Sequence, residues 1–267
     1  MGFIFCILPL IYFLNKHMMQ KVLTLIFLIL FLLGKVVAQK DTSQGKYLSI
    51  GSKRAGICFG NSSKYTGLRV NFIDKNVNRV NGINTSLIKS RVKMTNGISI
   101  GMLLNIDSLN NGISVGSLFN YGIRRNGIVI SGLFNSISKL NGIGVGGIFV
   151  NGDTLNGIFI SISITSLSRE WTIKLINGVS ISIQTEANVF NGVSISLAGT
   201  SAEVFNGMSI GVINYFSRQN GVSIGIFNRA DKLNGVQVGL INYAANNPKF
   251  LRWLPLINFH FGDRKKD

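Results

Sequence analysis

Side chains able to do covalent or metal chemistry are few in this sequence. There are two cysteines and two histidines, and one of each, Cys6 and His17, lies in an apolar N-terminal stretch. Cys58 and His260 remain. A single thiol cannot close an intramolecular disulfide, and a single imidazole cannot build a multi-histidine zinc site. Asp107, Asp153, Glu170, Glu186 and Glu203 fall at different positions of the repeat described below, whereas a carbohydrate lyase needs acids clustered with Lys or Arg. Asn151-Gly152-Asp153 occurs once, too little for a calcium-binding repeat array. The expectation is a non-enzymatic protein with no catalytic residues, no metal site and no cofactor.

Two groups could instead bind. Arg169 and Trp171 sit in a local insertion, where an indole can stack on a sugar beside a cation; the plainer account of a lone Trp is packing. Lys89, Arg91 and Lys93, with Lys53, Arg54, Lys64 and Arg69 before them, suit phosphate-rich lipopolysaccharide or another anionic partner. The plainer account of this charge is that the end of a repeat array needs a polar cap.

These groups belong to a chain of 267 residues, 46% hydrophobic and 14% charged, with a net charge of +17. So apolar and weakly charged a chain is not intrinsically disordered. Its first residues read as a leader. Two apolar runs, Gly2 to Leu14 and Val22 to Leu33, are each shorter than the roughly 20 residues of a membrane-spanning helix. Lys21, the second run and Val36-Val37-Ala38 form a secretory signal pattern, which predicts cleavage after Ala38 and a start at Met18 or Met19. Loss of Lys16, Lys21 and Lys35 with the leader leaves +14, distributed as +9 over residues 39–95, +1 over 96–228 and +4 over 229–267. For an exported chain, nucleic acid is not an expected partner.

The elements that must position these residues are set by a repeat. Eleven Asn-Gly pairs followed by an aliphatic residue or Met begin at Asn81, Asn96, Asn111, Asn126, Asn141, Asn156, Asn177, Asn191, Asn206, Asn220 and Asn234. Successive intervals are 14 or 15 residues, except the 21 between Asn156 and Asn177 that hold Arg169 and Trp171. After each pair the pattern alternates with period 2, as in Ile98, Ile100 and Met102 against Ser99 and Gly101. That is a strand signal, and Asn-Gly is a turn signal. Many units also carry a second asparagine: Asn105, Asn120, Asn135, Asn214, Asn228 and Asn242. The 15-versus-14 difference falls between the two asparagines, so a β-bulge near the intervening glycine is expected to absorb it.

The predicted fold is all-β. In a short-coil β-solenoid each 14–15-residue unit is one coil, aliphatic positions fill a narrow core, and asparagines form ladders along the axis. Ser99, Ser114, Ser180, Ser194, Ser209 and Ser223 would then form an outward row. The alternative is an up-and-down outer-membrane β-barrel with one strand per repeat. Turn chemistry that is the same in every unit favours the solenoid; the apolar end Trp253 to Phe261 favours the barrel. Pro255 fits that end only at an edge or bulge. The predicted organisation is leader 1–38, basic N-terminal cap 39–65, β-repeat domain 66–261 and charged tail 262–267.

The unit Asn234-Gly-Val-Gln-Val-Gly-Leu-Ile-Asn-Tyr-Ala244 and the ending from Asn247 to Phe261 resemble the repeat-bearing surface proteins of Gram-negative bacteria. The resemblance runs from about Gly67 to Phe261 and implies export to the outer membrane or cell surface. It carries no catalytic residues. The first functional expectation is a structural or interaction scaffold whose partner is the outer membrane, lipopolysaccharide, another envelope protein or a glycan. An integral barrel, acting as a pore, and a carbohydrate-active β-helix enzyme are the second and third functional expectations.

Overall fold

The structure, a computed structural model, describes residues 36–41, 45–165 and 173–262. It is a β-solenoid. Its N-terminal end is an antiparallel meander of β1 (Val36–Asp41), β2 (Gly45–Ser52) and β3 (Ala55–Gly60). From β3 onward each unit stacks in parallel on the next, through β4 (Lys64–Ile73), β5 (Val77–Gly101), β6 (Leu104–Gly116), β7 (Phe119–Ser131) and β8 (Phe134–Gly146). The stack continues through β9 (Phe149–Asn151), β10 (Thr154–Ile160), β11 (Ser163–Ile164) and the long β12 (Leu175–Ala244). Equivalent residues pair throughout, as in Asn96 with Asn111 and Ile98 with Ile113. An up-and-down barrel needs antiparallel neighbours, so the barrel alternative does not hold.

Asn-Gly behaves differently from the turn expected. Strand pairing runs straight through it, and only the glycine has positive φ, for example +135° at Gly142. A Cβ there would land on the carbonyl oxygen of Gly127 in the coil below. Glycine is therefore required for the close approach of successive coils as well as for the backbone angle. The adjacent asparagines point outward and form a ladder of ten side-chain hydrogen bonds, each amide donating to the previous Asn Oδ1 at 2.6–3.3 Å, from Asn96 on Asn81 to Asn234 on Asn220.

With this Asn as position 0, five columns point inward: −1, +3, +5, the second-asparagine position and the one two residues beyond it. The difference between unit lengths lies at a corner, not in a β-bulge. In 14-residue units two consecutive residues face outward there, as Val212 and Ile213; in 15-residue units there are three, as Met102, Leu103 and Leu104. An extra residue at a corner leaves every inward column in register. In the early units it adds an outer ring column, where Phe119, Phe134 and Phe149 stack at 5.2 and 5.3 Å between centroids.

The C-terminal end is closed by β13 (Trp253–His260), which runs antiparallel to the last coil. The register slips between Gly239 and Asn242, opposite Pro255. A residue with no N–H to donate thus sits at an edge and at an irregularity together.

Candidate functional site

The inward and outward faces are reversed from the sequence expectation. Ser99, Ser114, Ser180, Ser194, Ser209 and Ser223 are all within 1% of fully buried. They face the lumen, while the alternating aliphatic residues face out. The reason is steric and polar together. At +5 the coil is narrow, and a Cβ at Gly101 would meet the Leu104 carbonyl, whereas column +3 also accommodates buried Val129 and Phe159. The hydroxyls of the +3 serines are satisfied from within, as Ser209 donates to Asn214 Oδ1 at 2.6 Å and Ser99 to Asn105 Oδ1 at 3.1 Å, whereas Ser86 and Ser131 at +5 have no partner among the described residues. The second asparagines also donate to main-chain carbonyls of the next coil, as Asn120 to Ile130 at 2.6 Å and Asn228 to Val238 at 3.0 Å. Where the pattern lapses, Val150, Ile164, Thr185 and Thr200 occupy this column. Thr200 Oγ1 lies 2.7 Å from Ser194 Oγ, so threonine replaces the asparagine partner.

Two arginines enter the core. Arg125 occupies position −1, a column filled by Leu140, Leu155, Phe190 and Phe205 elsewhere. Its Nη1 contacts Asp107 Oδ2 at 3.1 Å and Ser114 Oγ at 2.6 Å, and Nη2 donates to the Tyr121 carbonyl at 2.8 Å. Burial pulls its guanidinium below the ordinary value, opposed by the charge and hydrogen bond of Asp107. Arg69 similarly contacts Asp74 at 2.7 Å and Asn84 at 2.6 Å. These acids serve structure. Burial also pushes the Cys58 thiol up, away from the reactive thiolate.

The remaining acids stay apart. Asp153 pairs with Lys174 at 3.2 Å and Asp231 with Arg229 at 3.4 Å on the surface, and Glu186 accepts from Thr165. Among the described residues no group of three or more His, Cys, Asp and Glu is placed to hold a metal ion. Lys89, Arg91 and Lys93 lie on β5, with Lys89 half-buried at the corner and Arg91 and Lys93 exposed beyond it. Arg69, grouped with them in sequence, points into the core instead. Arg169 and Trp171 lie outside the described residues, as does residues 1–35 of the expected leader; Val36–Ala38 lies within β1.

What the geometry does assemble is an apolar face. Outward columns +2 and +4 are almost entirely Ile and Val, as Ile143, Ile158, Ile181, Ile195 and Ile224. Column +6 adds Ile162, Ile183, Leu197, Val212, Ile226 and Leu240, with Leu197 and Leu240 at 72% and 64% exposure. A groove of about 840 Å³ runs between columns +4 and +6 from Ile181 to Leu256. With coils about 4.8 Å apart and residues about 3.3 Å apart, the face is roughly 50 Å by 17 Å. That is on the order of 800 Å², larger than the apolar patches of ordinary monomers.

The face continues round the corner, where Ile88, Leu103, Leu118, Ile213 and Ile241 are exposed. Tyr121, Tyr215, Tyr243 and Trp253 lie along its far rim. Trp253 packs on Tyr243 at 4.5 Å, and the Arg229 guanidinium lies 5.1 and 5.3 Å from the Tyr215 and Tyr243 ring centroids. Across the asparagine ladder, on the near rim, column −2 presents exposed Arg79, Arg124, Lys139, Arg218 and Lys232 and no acid. No family model, curated protein or solved structure matches this chain.

Proposed function

We infer that this chain is an exported, non-enzymatic scaffold of the Gram-negative cell envelope, which acts by presenting a regular surface to a partner. One observation carries the reading: the stacked coils display a largely aliphatic outer face in columns +2 and +4, while serine and asparagine occupy inward columns. An apolar area of this size marks an interaction surface and is a liability on a free monomer. The signal pattern before Gln39 supports export, and the surface-repeat resemblance supports an outer-membrane or cell-surface address. Outer-membrane lipid, lipopolysaccharide, another envelope protein or a glycan are the partner classes consistent with that address.

The test is fractionation of cells that make the protein, with the N-terminus of the mature chain sequenced. The expected result is a chain beginning at Gln39 in the envelope fraction. An unprocessed cytosolic chain, or hydrolysis of a glycan panel by the purified protein, overturns the reading.

A further inference from the structure

We propose that the apolar face docks on a lipid bilayer rich in anionic headgroups, the solenoid lying along the surface with its aliphatic columns and corner sunk among the acyl chains. The proposal rests on the scaffold reading and names its partner. Three features of the surface select lipid over a second copy of this chain or a rigid protein.

First, the apolar surface bends. Columns +2 to +6 occupy one side, and Leu103, Leu118, Ile213 and Ile241 lie at or beyond the corner, where two or three successive residues face outward. A flat rigid partner covers one side of such an edge; fluid hydrocarbon wets both. Second, the rims are chemically unlike. Tyr121, Tyr215, Tyr243 and Trp253 border one side, and aromatic side chains with a polar edge settle at the membrane interface. Third, column −2 borders the other side with five exposed cations and no acid among the described residues. Their long apolar stems let the charged heads reach a headgroup layer while the aliphatic columns lie deeper. Each cation near an anionic surface adds to attachment, and the contribution fades with salt. This is the arrangement of an interfacial amphipathic element, buried to about 5–10 Å, built here from a β-array.

The test uses the full chain and vesicles of phosphatidylcholine, with and without phosphatidylglycerol, in a flotation assay. Wild type is expected to float with the mixed vesicles and to bind less tightly at high salt. Leu197→Lys with Ile226→Lys and Leu240→Lys places three charges on the face at outward positions that leave the core intact. It is expected to reduce partitioning at least tenfold despite the added positive charge. Ser108→Lys with Ser138→Lys and Ser217→Lys adds the same charge at exposed positions away from the face and is expected to bind as well as wild type or better. Circular dichroism and a cooperative thermal transition check that each variant is folded.

A second measurement needs no change on the face. In Trp171→Phe, Trp253 is the sole tryptophan, and lipids brominated on the acyl chain are expected to quench it. Equal binding by both triple variants, or no quenching of Trp253, overturns the proposal. So does a wild-type chain that ignores vesicles and is a dimer dissociated by the face variant; the face is then an interface between copies. An envelope-located chain that ignores vesicles sinks the lipid partner alone, whereas a cytosolic chain sinks the scaffold reading as well.

Discussion

The interior of the solenoid from Arg69 to Arg125 and the interior from Val129 to Phe216 share one backbone path but differ in their largest buried side chains, charged in the first and apolar in the second. The first holds two buried ion-pair networks, Arg69 with Asp74 and Asn84, then Arg125 with Asp107, Thr95, Asn110 and Ser114, beside a small apolar cluster of Val77, Val80 and Val92. The second contains one apolar cluster that includes Leu140, Leu155, Phe159, Ile176, Phe190, Phe205 and Phe216. Phe205 stacks on Phe190 at 5.4 Å and on Phe216 at 4.3 Å. A coil of the same shape forms around either filling. Its path is therefore set by what the two regions have in common, namely the positive-φ glycine after each ladder asparagine, the outer asparagine ladder and the parallel main-chain hydrogen bonds.

Substitutions can separate filling from path. The largest losses are expected where each filling is broken. Asp107→Ala leaves the buried Arg125 guanidinium unpaired and should cost about 3–5 kcal/mol; Phe205→Ala opens a cavity and should cost a similar ~3–5 kcal/mol. Chemical denaturation compares them, and a loss below 1 kcal/mol for either would mean that its region does not depend on that filling. Next is Gly142→Ala, which acts on the path. Its backbone angle alone costs about 1–3 kcal/mol, and contact with the Gly127 carbonyl adds to this, so a neutral outcome in thermal melts would remove the glycine contact from the account.

Smaller effects follow. Asn141→Ala removes hydrogen bonds to Asn126 and from Asn156 at a partly exposed position, each worth about 1 kcal/mol net. A melting shift as large as that of Phe205→Ala would show that the ladder outweighs the core. The smallest loss is expected for Asp107→Leu combined with Arg125→Met. Replacing both members of a buried ion pair by apolar groups is often neutral or stabilising by about 1–4 kcal/mol, and the first region would then resemble its neighbour. Strong destabilisation of this double variant would show that the ion pair specifies the early coils.

Much of this was legible before any coordinates. Eleven Asn-Gly pairs at nearly constant spacing call for a coil, and uniform turn chemistry favours a solenoid over a barrel. The asparagine ladder follows from the same spacing, and the length difference was correctly located between the two asparagines. The direction of the alternation was not legible. Period 2 separates Ile98 and Ile100 from Ser99 but does not say which set faces inward, and the usual assumption puts the aliphatic set inside. Gly101, Gly116, Gly211, Gly225 and Gly239 held the clue, because a glycine recurring at one position of the alternation marks the set whose Cβ would meet neighbouring backbone, as at Gly101 and Gly239.

Arg125 also left a trace. It precedes Asn126 at a position held by Leu140, Leu155, Phe190 and Phe205 in other units, so aligning the units marks it as inward and in need of an acid. Asp107, which falls at a different repeat position from the other acids, is that acid. The threonines at 185 and 200 were hidden because they do the work of asparagine with a different side chain.

The reversal of faces is the central claim, and cysteine accessibility tests it most directly. With Cys6 and Cys58 replaced by serine, Ser223→Cys and Ile224→Cys are compared for maleimide labelling of the folded chain in lipid-free buffer. Ser223 is fully buried and Ile224 is 39% exposed, so rapid labelling at 224 and protection at 223 until unfolding are expected. Rapid labelling at 223 with protection at 224 would contradict the account and put the aliphatic columns back in the core.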